Sequence, residues 1–238
     1  TKIRDLNGVG WMVVSTKFVE GTVLEDLDDP SRYYRTIGEW SAKFHEQSRH
    51  WNRPFGFKRF NWGISDMVGA SPRWGRWETA DLSATDRHLC EHALDAALAV
   101  MNTYPRNRHT WGLIHADLRP SNIIRADNGD LTVIDFDDAG YSWYLYDYAS
   151  SLSFVEHKPY APQLAKAWLD GYVSVAGPMS SEELHVMSAL SMIRRLQMLG
   201  WTTNHREDAL PKGLAAEQAA GTVQCARNYL ADAQWLLR

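Results

Sequence analysis

Apolar positions recur with a helical period through most of this chain and with a strand-like pattern in only a few short runs. Residues 10–20, GWMVVSTKFVE, are apolar and β-branched and read as a strand. Together with the polar start TKIRDLN and Gly8-Val9-Gly10, they predict a hairpin over about 2–19. Gly21 and an acidic stretch ending at Pro30 follow. A helix should start at Ser31, which can cap it. Tyr33, Ile37, Trp40 and Phe44 then recur at spacings of four, three and four, which puts them on one face. Residues 51–82, rich in Trp, Gly, Pro and Arg, show no period and predict an irregular insertion with short helices. A second long helix begins near Ser83, with Asp86 three residues on as a capping partner. Its buried stripe is Cys90, Leu94, Ala97 and Met101, and Pro105 stops it.

Beyond residue 110 the pattern changes. Leu113-Ile114-His115 is a short apolar piece. Asn122-Ile123-Ile124-Arg125 and Leu131-Thr132-Val133-Ile134 are β-rich runs joined by Asp127-Asn128-Gly129-Asp130. Asn-Gly tolerates positive φ at both positions and is the strongest short hairpin signal. After residue 145 the period is helical again, over about 145–156, 161–176, 181–199 and 215–237, with Gly200 as a stop for the third. The pattern predicts an α+β chain: a mainly helical body with one small β-hairpin in its middle.

The chain has 238 residues, 45% of them hydrophobic, enough for a full core. Its eleven Trp predict a Trp-rich core. A net charge of −4 supplies no footprint for nucleic acid or for an anionic membrane surface. The two cysteines, Cys90 and Cys225, lack metal-ligand spacing, and Cys90 reads as core packing. No apolar run approaches a membrane span and the start TKIRDLNG is polar, so a cytoplasmic protein is expected.

Chemistry concentrates in His115-Ala116-Asp117-Leu118-Arg119-Pro120-Ser121-Asn122, which pairs an acid with an amide five residues later. The hairpin then delivers Asp135-Phe136-Asp137-Asp138, beginning eighteen residues after Asp117. Phosphoryl transfer needs a carboxylate for the attacking group, hard oxygen ligands for magnesium, and a cation against the transferred charge. Asp117, then Asn122 with Asp135, then Arg119 can fill those roles.

HADLRPSN followed by VIDFDDAG resembles the catalytic and metal loops of the aminoglycoside-phosphotransferase and choline-kinase family, and more distantly those of protein kinases. The resemblance implies a protein-kinase-like fold and ATP- and magnesium-dependent transfer to a hydroxyl or amine of a small molecule. It makes Asp117 the catalytic Asp that orients the acceptor and takes its proton, Asn122 and Asp135 the magnesium ligands, and His115 the buttress of the catalytic loop. Arg119 stands where protein kinases place a phosphate-contacting Lys, and Asp137 becomes a group that supports the metal ligands or binds a second metal. Asp147, in Leu145-Tyr146-Asp147-Tyr148-Ala149, matches an Asp that hydrogen-bonds the catalytic-loop backbone. Ala42-Lys43-Phe44-His45 resembles the end of the family's first large-lobe helix. Adenine should lie under Thr16–Gly21, read by the Lys17 carbonyl and the Val19 N–H. The acceptor pocket is expected between Trp62, Arg73, Trp74, Arg76 and Trp77 and the C-terminal helices. Its two arginines argue against a cationic acceptor and point to an amino acid or another small hydroxylated metabolite.

The family's small β-rich lobe, with its phosphate-covering loop and phosphate-binding Lys, has no room before this hinge. Residues 1–20 are therefore expected to be a remnant of that lobe and 21–238 the helical catalytic lobe, with the rest of the small lobe as a missing partner and little activity in isolation. Two other readings stay open. One is a nucleotide-binding module without transfer. The other is a metal-dependent hydrolase built on His115, Asp117, Asp135 and Asp137.

Overall fold

A computed structural model describes residues 2–4, 8, 10–205 and 210–237. Its strands are β1 Lys2–Arg4, β2 Gly10–Met12, β3 Thr22–Val23, β4 Trp111–Ile114, β5 Ile123–Arg125, β6 Leu131–Val133 and β7 Gly140–Trp143. Its α-helices are α1 Tyr34–His50, α2 Ile64–Val68, α3 Ala84–Thr103, α4 Tyr146–Ser151, α5 Ala161–Ala176, α6 Ser181–Asn204 and α7 Leu214–Ala231. Three small antiparallel sheets result: β1-β2, β3-β5-β6 and β4-β7. No described helix is long and apolar enough to cross a membrane.

The N-terminal hairpin forms with Lys2 opposite Met12, but its second strand stops at Met12 instead of running to residue 20. Val13, Val14 and Phe18 are exposed, and residues 14–20 have no strand partner among the described residues, so the β propensity of this stretch is not realised. The first long helix starts later than expected. Asp29, rather than Ser31, caps a 3-10 turn over Pro30–Tyr33, and α1 follows. Its buried face is Tyr34, Ile37, Gly38, Ser41, Ala42 and His45, rotated from the expected stripe, with Trp40 and Phe44 only partly covered. Gly38 is there because α5 crosses against it: a Cβ on Gly38 would lie 2.0 Å from the Trp168 carbonyl oxygen.

The α3 helix begins at the Ser83 cap, which accepts the Asp86 N–H, and buries Cys90, Ala93, Ala97 and Met101. The insertion over 51–82 contains only α2 and a 3-10 turn at Trp77–Thr79. The β5-β6 hairpin turns through Gly129 at φ 92°. The predicted helix over 145–156 ends at Ser151, and the one over 215–237 ends at Ala231. Strand β7, absent from the sequence expectation, pairs with β4.

The α6 helix is the centre of the body. Its residues from Val186 to Gly200 are all buried, against α3, α4 and α7. Ser180 and Glu183 close its N-terminus in a capping box. Gly200 does not stop it. The helix runs on to Asn204, and Gly200 is where the insertion crosses: a Cβ there would lie 2.3 Å from the Gly75 carbonyl oxygen. The core is aromatic, with Trp62, Trp77, Trp143, Trp168 and Trp235 buried in it.

Candidate active site

Strand β4 delivers the chain into a turn at His115-Ala116, where Ala116 takes φ 65°, an unusual conformation for a residue with a Cβ. Asp147, fully buried at the start of α4, holds this turn. Its carboxylate accepts the Ala116 N–H at 2.7 Å and the His115 N–H at 3.4 Å. His45 lies 3.0 Å from the same carboxylate through Nε2, and 3.0 Å from the Tyr172 hydroxyl through Nδ1. Burial depresses the His45 pKa and outweighs the pull of Asp147. The neutral ring therefore donates to Asp147 and accepts from Tyr172.

Past the turn, Asp117 projects into a cluster of donors. The Asn122 amide nitrogen donates to its Oδ2 at 2.8 Å and to its main-chain oxygen at 2.9 Å. Arg119 Nε approaches Oδ2 at 3.3 Å, and its other end reaches toward Glu25 at 3.6 Å. Arg194, from α6, donates to Oδ1 at 2.8 Å. A carboxylate accepts about four hydrogen bonds, so roughly one position remains open on Asp117. Among the described residues the Asn122 side-chain oxygen meets only the Ser121 hydroxyl, at 3.5 Å.

The hairpin closes on this loop. The Ile134 N–H donates to the Asn122 carbonyl at 2.9 Å, extending the β5-β6 ladder to the residue before Asp135. His115 ties the two segments together: its Nδ1 accepts the Asp117 N–H at 3.3 Å and its Nε2 donates to the Ile134 carbonyl at 3.2 Å. Asp135 follows at φ 59°, a conformation Asp tolerates better than most residues. Its Oδ1 faces the Asp137 N–H at 3.4 Å. Arg59 binds the carbonyls of Phe136, Asp137 and Ala139, and Trp62 Nε1 donates to the Asp138 carbonyl at 2.8 Å, so the insertion fixes this turn.

Asp135 and Asp137 are exposed and Asp138 is half-buried. The Asp138 carboxylate makes no hydrogen bond among the described residues. Its pKa is raised, by burial first and then by Asp117, with Arg194 acting against the rise and Asp135 and Asp137 adding to it. The Asp138 carboxylate is thus under the charges of Asp117, Asp135 and Asp137 on one side and of Arg194 on the other.

The donor set fits a small hard cation. Asn122 Oδ1 and the Asp135 carboxylate offer oxygen atoms at adjoining ends of the loop and the hairpin. Magnesium commonly takes only one or two protein oxygens and completes its shell with phosphate and water. Among the described residues no group of three or more His, Cys, Asp or Glu gathers as a metal cluster, so the two-metal hydrolase set is not assembled.

The expected aromatic wall is largely core. Trp62 and Trp77 are buried, Arg73 lies over the Phe60 and Trp62 rings, and Arg76 pairs with Glu78. Only Trp74 reaches the site, with its ring under the Arg194 guanidinium at 4.9 Å. Lys17 and Val19 lie in the irregular stretch before β3, and the Lys17 carbonyl and Val19 N–H make no hydrogen bond with another described residue. A separate cavity of about 460 Å³ touches the loop that carries Asp117, lined by Glu25, Asp29, Tyr34, Arg119, Ser153 and Tyr160.

Arg59 and Arg194 were not singled out in the sequence. The signal for Arg194 was the Arg194-Arg195 pair inside SALSMIRRLQMLG, two charges in an otherwise apolar helical run.

A model of the phosphotransferase enzyme family matches residues 2–182. Amicoumacin kinase of Bacillus subtilis (strain 168) is 23% identical over 167 residues, which is 69% of this chain. The chain spans 46% of that relative's length. The solved structure of a microcompartment-associated aminopropanol kinase is 29% identical with a TM-score of 0.81, over 100% of this chain and 77% of that one. The choline kinase of Streptococcus pneumoniae is 15% identical with a TM-score of 0.59, over 84% of this chain and 66% of that one, a likeness of fold.

Proposed function

The chain belongs to the phosphotransferase enzyme family, and from that premise we propose that it carries the catalytic site of a kinase that moves the γ-phosphoryl group of ATP to the hydroxyl of a small amino alcohol. The observation that carries this reading is the Asp117 carboxylate, oriented by Asn122, Arg119 and Arg194 with one acceptor position open beside the Asp135 end of the hairpin.

In the proposed reaction the acceptor hydroxyl donates to the open position on Asp117. As its oxygen attacks the γ-phosphorus, the proton passes to Asp117, the bridging bond to the β-phosphate breaks, and ADP leaves with the electron pair. Asn122 and Asp135 would hold a magnesium ion, which when bound offsets charge on the triphosphate. Arg119, 23% exposed at its side chain and beside Asp117, is placed to meet the transferred group. His115 and Asp147 keep the loop in position, and Asp137 supports Asp135 through its N–H. Adenine is assigned to the Lys17 carbonyl and Val19 N–H by family resemblance. ATP as donor is supported by related kinases solved with AMP-PNP and calcium or with ADP.

The acceptor class follows the aminopropanol kinase likeness and the charges at the site. Arg73 and Arg76, which argued against a cationic acceptor, are spent on aromatic rings and on Glu78. The half-buried Asp138 carboxylate offers a counter-charge for an ammonium group. The test is ADP release by the full-length natural protein with ATP, magnesium and a panel of amino alcohols, with the product identified by phosphorus NMR. Acceptor-dependent ADP release that collapses in Asp117→Asn is expected. Turnover that ignores both the acceptor and this substitution would overturn the reading.

A further inference from the structure

Two consecutive arginines lie buried in α6, and their partners divide them. Arg195 belongs to the frame. It donates to Glu156 at 2.8 Å, to the Thr222 hydroxyl at 2.9 Å and to the Gln218 carbonyl at 2.8 Å, tying α6 to α7. Arg194 points the other way. Nε donates to the Ser153 hydroxyl at 2.9 Å, Nη1 to the Tyr146 hydroxyl at 2.8 Å, and Nη2 to Asp117 Oδ1 at 2.8 Å. The Gln197 side-chain oxygen accepts the Tyr146 hydroxyl proton, which turns the phenol's lone pairs toward Arg194. Trp74 covers the guanidinium face.

We infer that Arg194 is the positioning residue for Asp117: a fully buried, three-point-anchored guanidinium that fixes the rotamer of the carboxylate and leaves its open lone pair facing the acceptor. The inference rests on the proposed role of Asp117. Three observations carry it. At 1% side-chain exposure Arg194 is covered from solvent, and Asp117 is the one carboxylate it hydrogen-bonds among the described residues. Its two neutral partners, from α4 and the turn after it, leave the guanidinium no second geometry. Finally, its charge is directed at the one hydrogen-bonded carboxylate that opens toward solvent, whereas its neighbour Arg195 uses a carboxylate that is 0% exposed at its side chain. Lys could not replace it in full, because an ammonium is a point donor and cannot span three partners in a plane.

The experiment is a double-mutant cycle on the full-length natural protein, read as kcat and KM for ATP, with melting temperature alongside. Arg194→Met, close in volume, should lower kcat by about 10²-fold, the cost of misplacing a catalytic group, and leave KM for ATP within about twofold. Arg194→Lys should recover part of that loss. In an Asp117→Asn background, Arg194→Met should cost nothing further, because its target is gone. Arg195→Met should lower the melting temperature but keep kcat within about twofold, in either background. If Arg194→Met does not fold, Arg194→Gln retains a donor for Asp117 without the charge and enters the same cycle. Wild-type kcat in a folded Arg194 variant, or an undiminished loss in the Asp117→Asn background, would overturn the inference. Full activity in Asp117→Asn alone would instead overturn the catalytic reading on which it rests.

Discussion

The carboxylate of Asp147 accepts the backbone N–H of Ala116 at 2.7 Å, and Ala116 is the residue that turns the catalytic loop through positive φ. The pairing explains how a non-glycine residue is held in that conformation: a fully buried acid takes two consecutive loop amides and the His45 ring at once. Asp147→Asn keeps the shape but presents an NH2 group to N–H donors and removes the charge they were arranged around. A loss of about 3 kcal/mol is expected, measured as a lower urea midpoint at unchanged m-value. Wild-type stability would mean the loop does not depend on this acid.

Helices α1 and α5 approach through a reciprocal glycine contact. A Cβ on Gly38 would stand 2.0 Å from the Trp168 carbonyl oxygen, and one on Gly171 would stand 2.0 Å from that of Arg35. Both obstacles are backbone, so neither can rotate aside. Ala has the better helix propensity, by about 1 kcal/mol, yet overpacking at a closed contact costs about 1–3 kcal/mol or more. Gly38→Ala and Gly171→Ala should each lower the melting temperature despite the propensity gain. A rise would show that the helices can separate at little cost.

What was legible in the sequence was local. The β5-β6 hairpin was readable because Asn128-Gly129 encodes its own turn, and the Ser83 cap because its partner is three residues away. Features set by distant neighbours were not. Gly200 looks like a helix stop until the Gly75 carbonyl is seen against it. Val14 and Phe18 carry β propensity with no strand beside them among the described residues to use it. The motif residues Asp117 and Asn122 stood out, but Arg194 lies 77 positions from Asp117, in a helix buried so completely that no polar face marks which side meets the site. Trp62 and Trp77 were expected beside the acceptor pocket, and packing shows them to be core.

Acid should destabilise this fold through two histidines, His45 buried and His157 partly buried. The His45 pKa lies below its ordinary value of 6.5 because burial disfavours the charged ring, and His157 shifts the same way, by burial and then by Arg195. Below the ordinary value the unfolded chain binds a proton that the folded chain refuses. The stabilisation is therefore fully present above about pH 6.5 and is lost as pH falls toward the folded pKa, by at most about 1.4 kcal/mol per pH unit for each group. Urea midpoints taken from pH 7.5 down to pH 5.5, in steps of about half a unit, should fall steadily. A flat profile would mean that His45 is already charged in the native state, with its proton shared with Asp147.

Asp135 allows the metal-site assignment to be tested apart from folding. It sits at φ 59°, where Asp and Asn are both tolerated, it is exposed, and its one hydrogen bond among the described residues is the 3.4 Å approach of the Asp137 N–H, which an amide oxygen can also accept. Asp135→Asn should therefore melt with the wild type. What it loses is a negative charge at the mouth of the hairpin, where Asn122 offers a neutral oxygen that cannot by itself neutralise a divalent ion. The expected outcome is a fall in kcat of about 10²-fold or more, together with a magnesium requirement displaced to higher concentration. Titrating activity against magnesium in both proteins separates the two effects. An unchanged magnesium half-saturation point in Asp135→Asn would remove this residue from the metal site, and an altered melting temperature would show instead that the turn needs the charge.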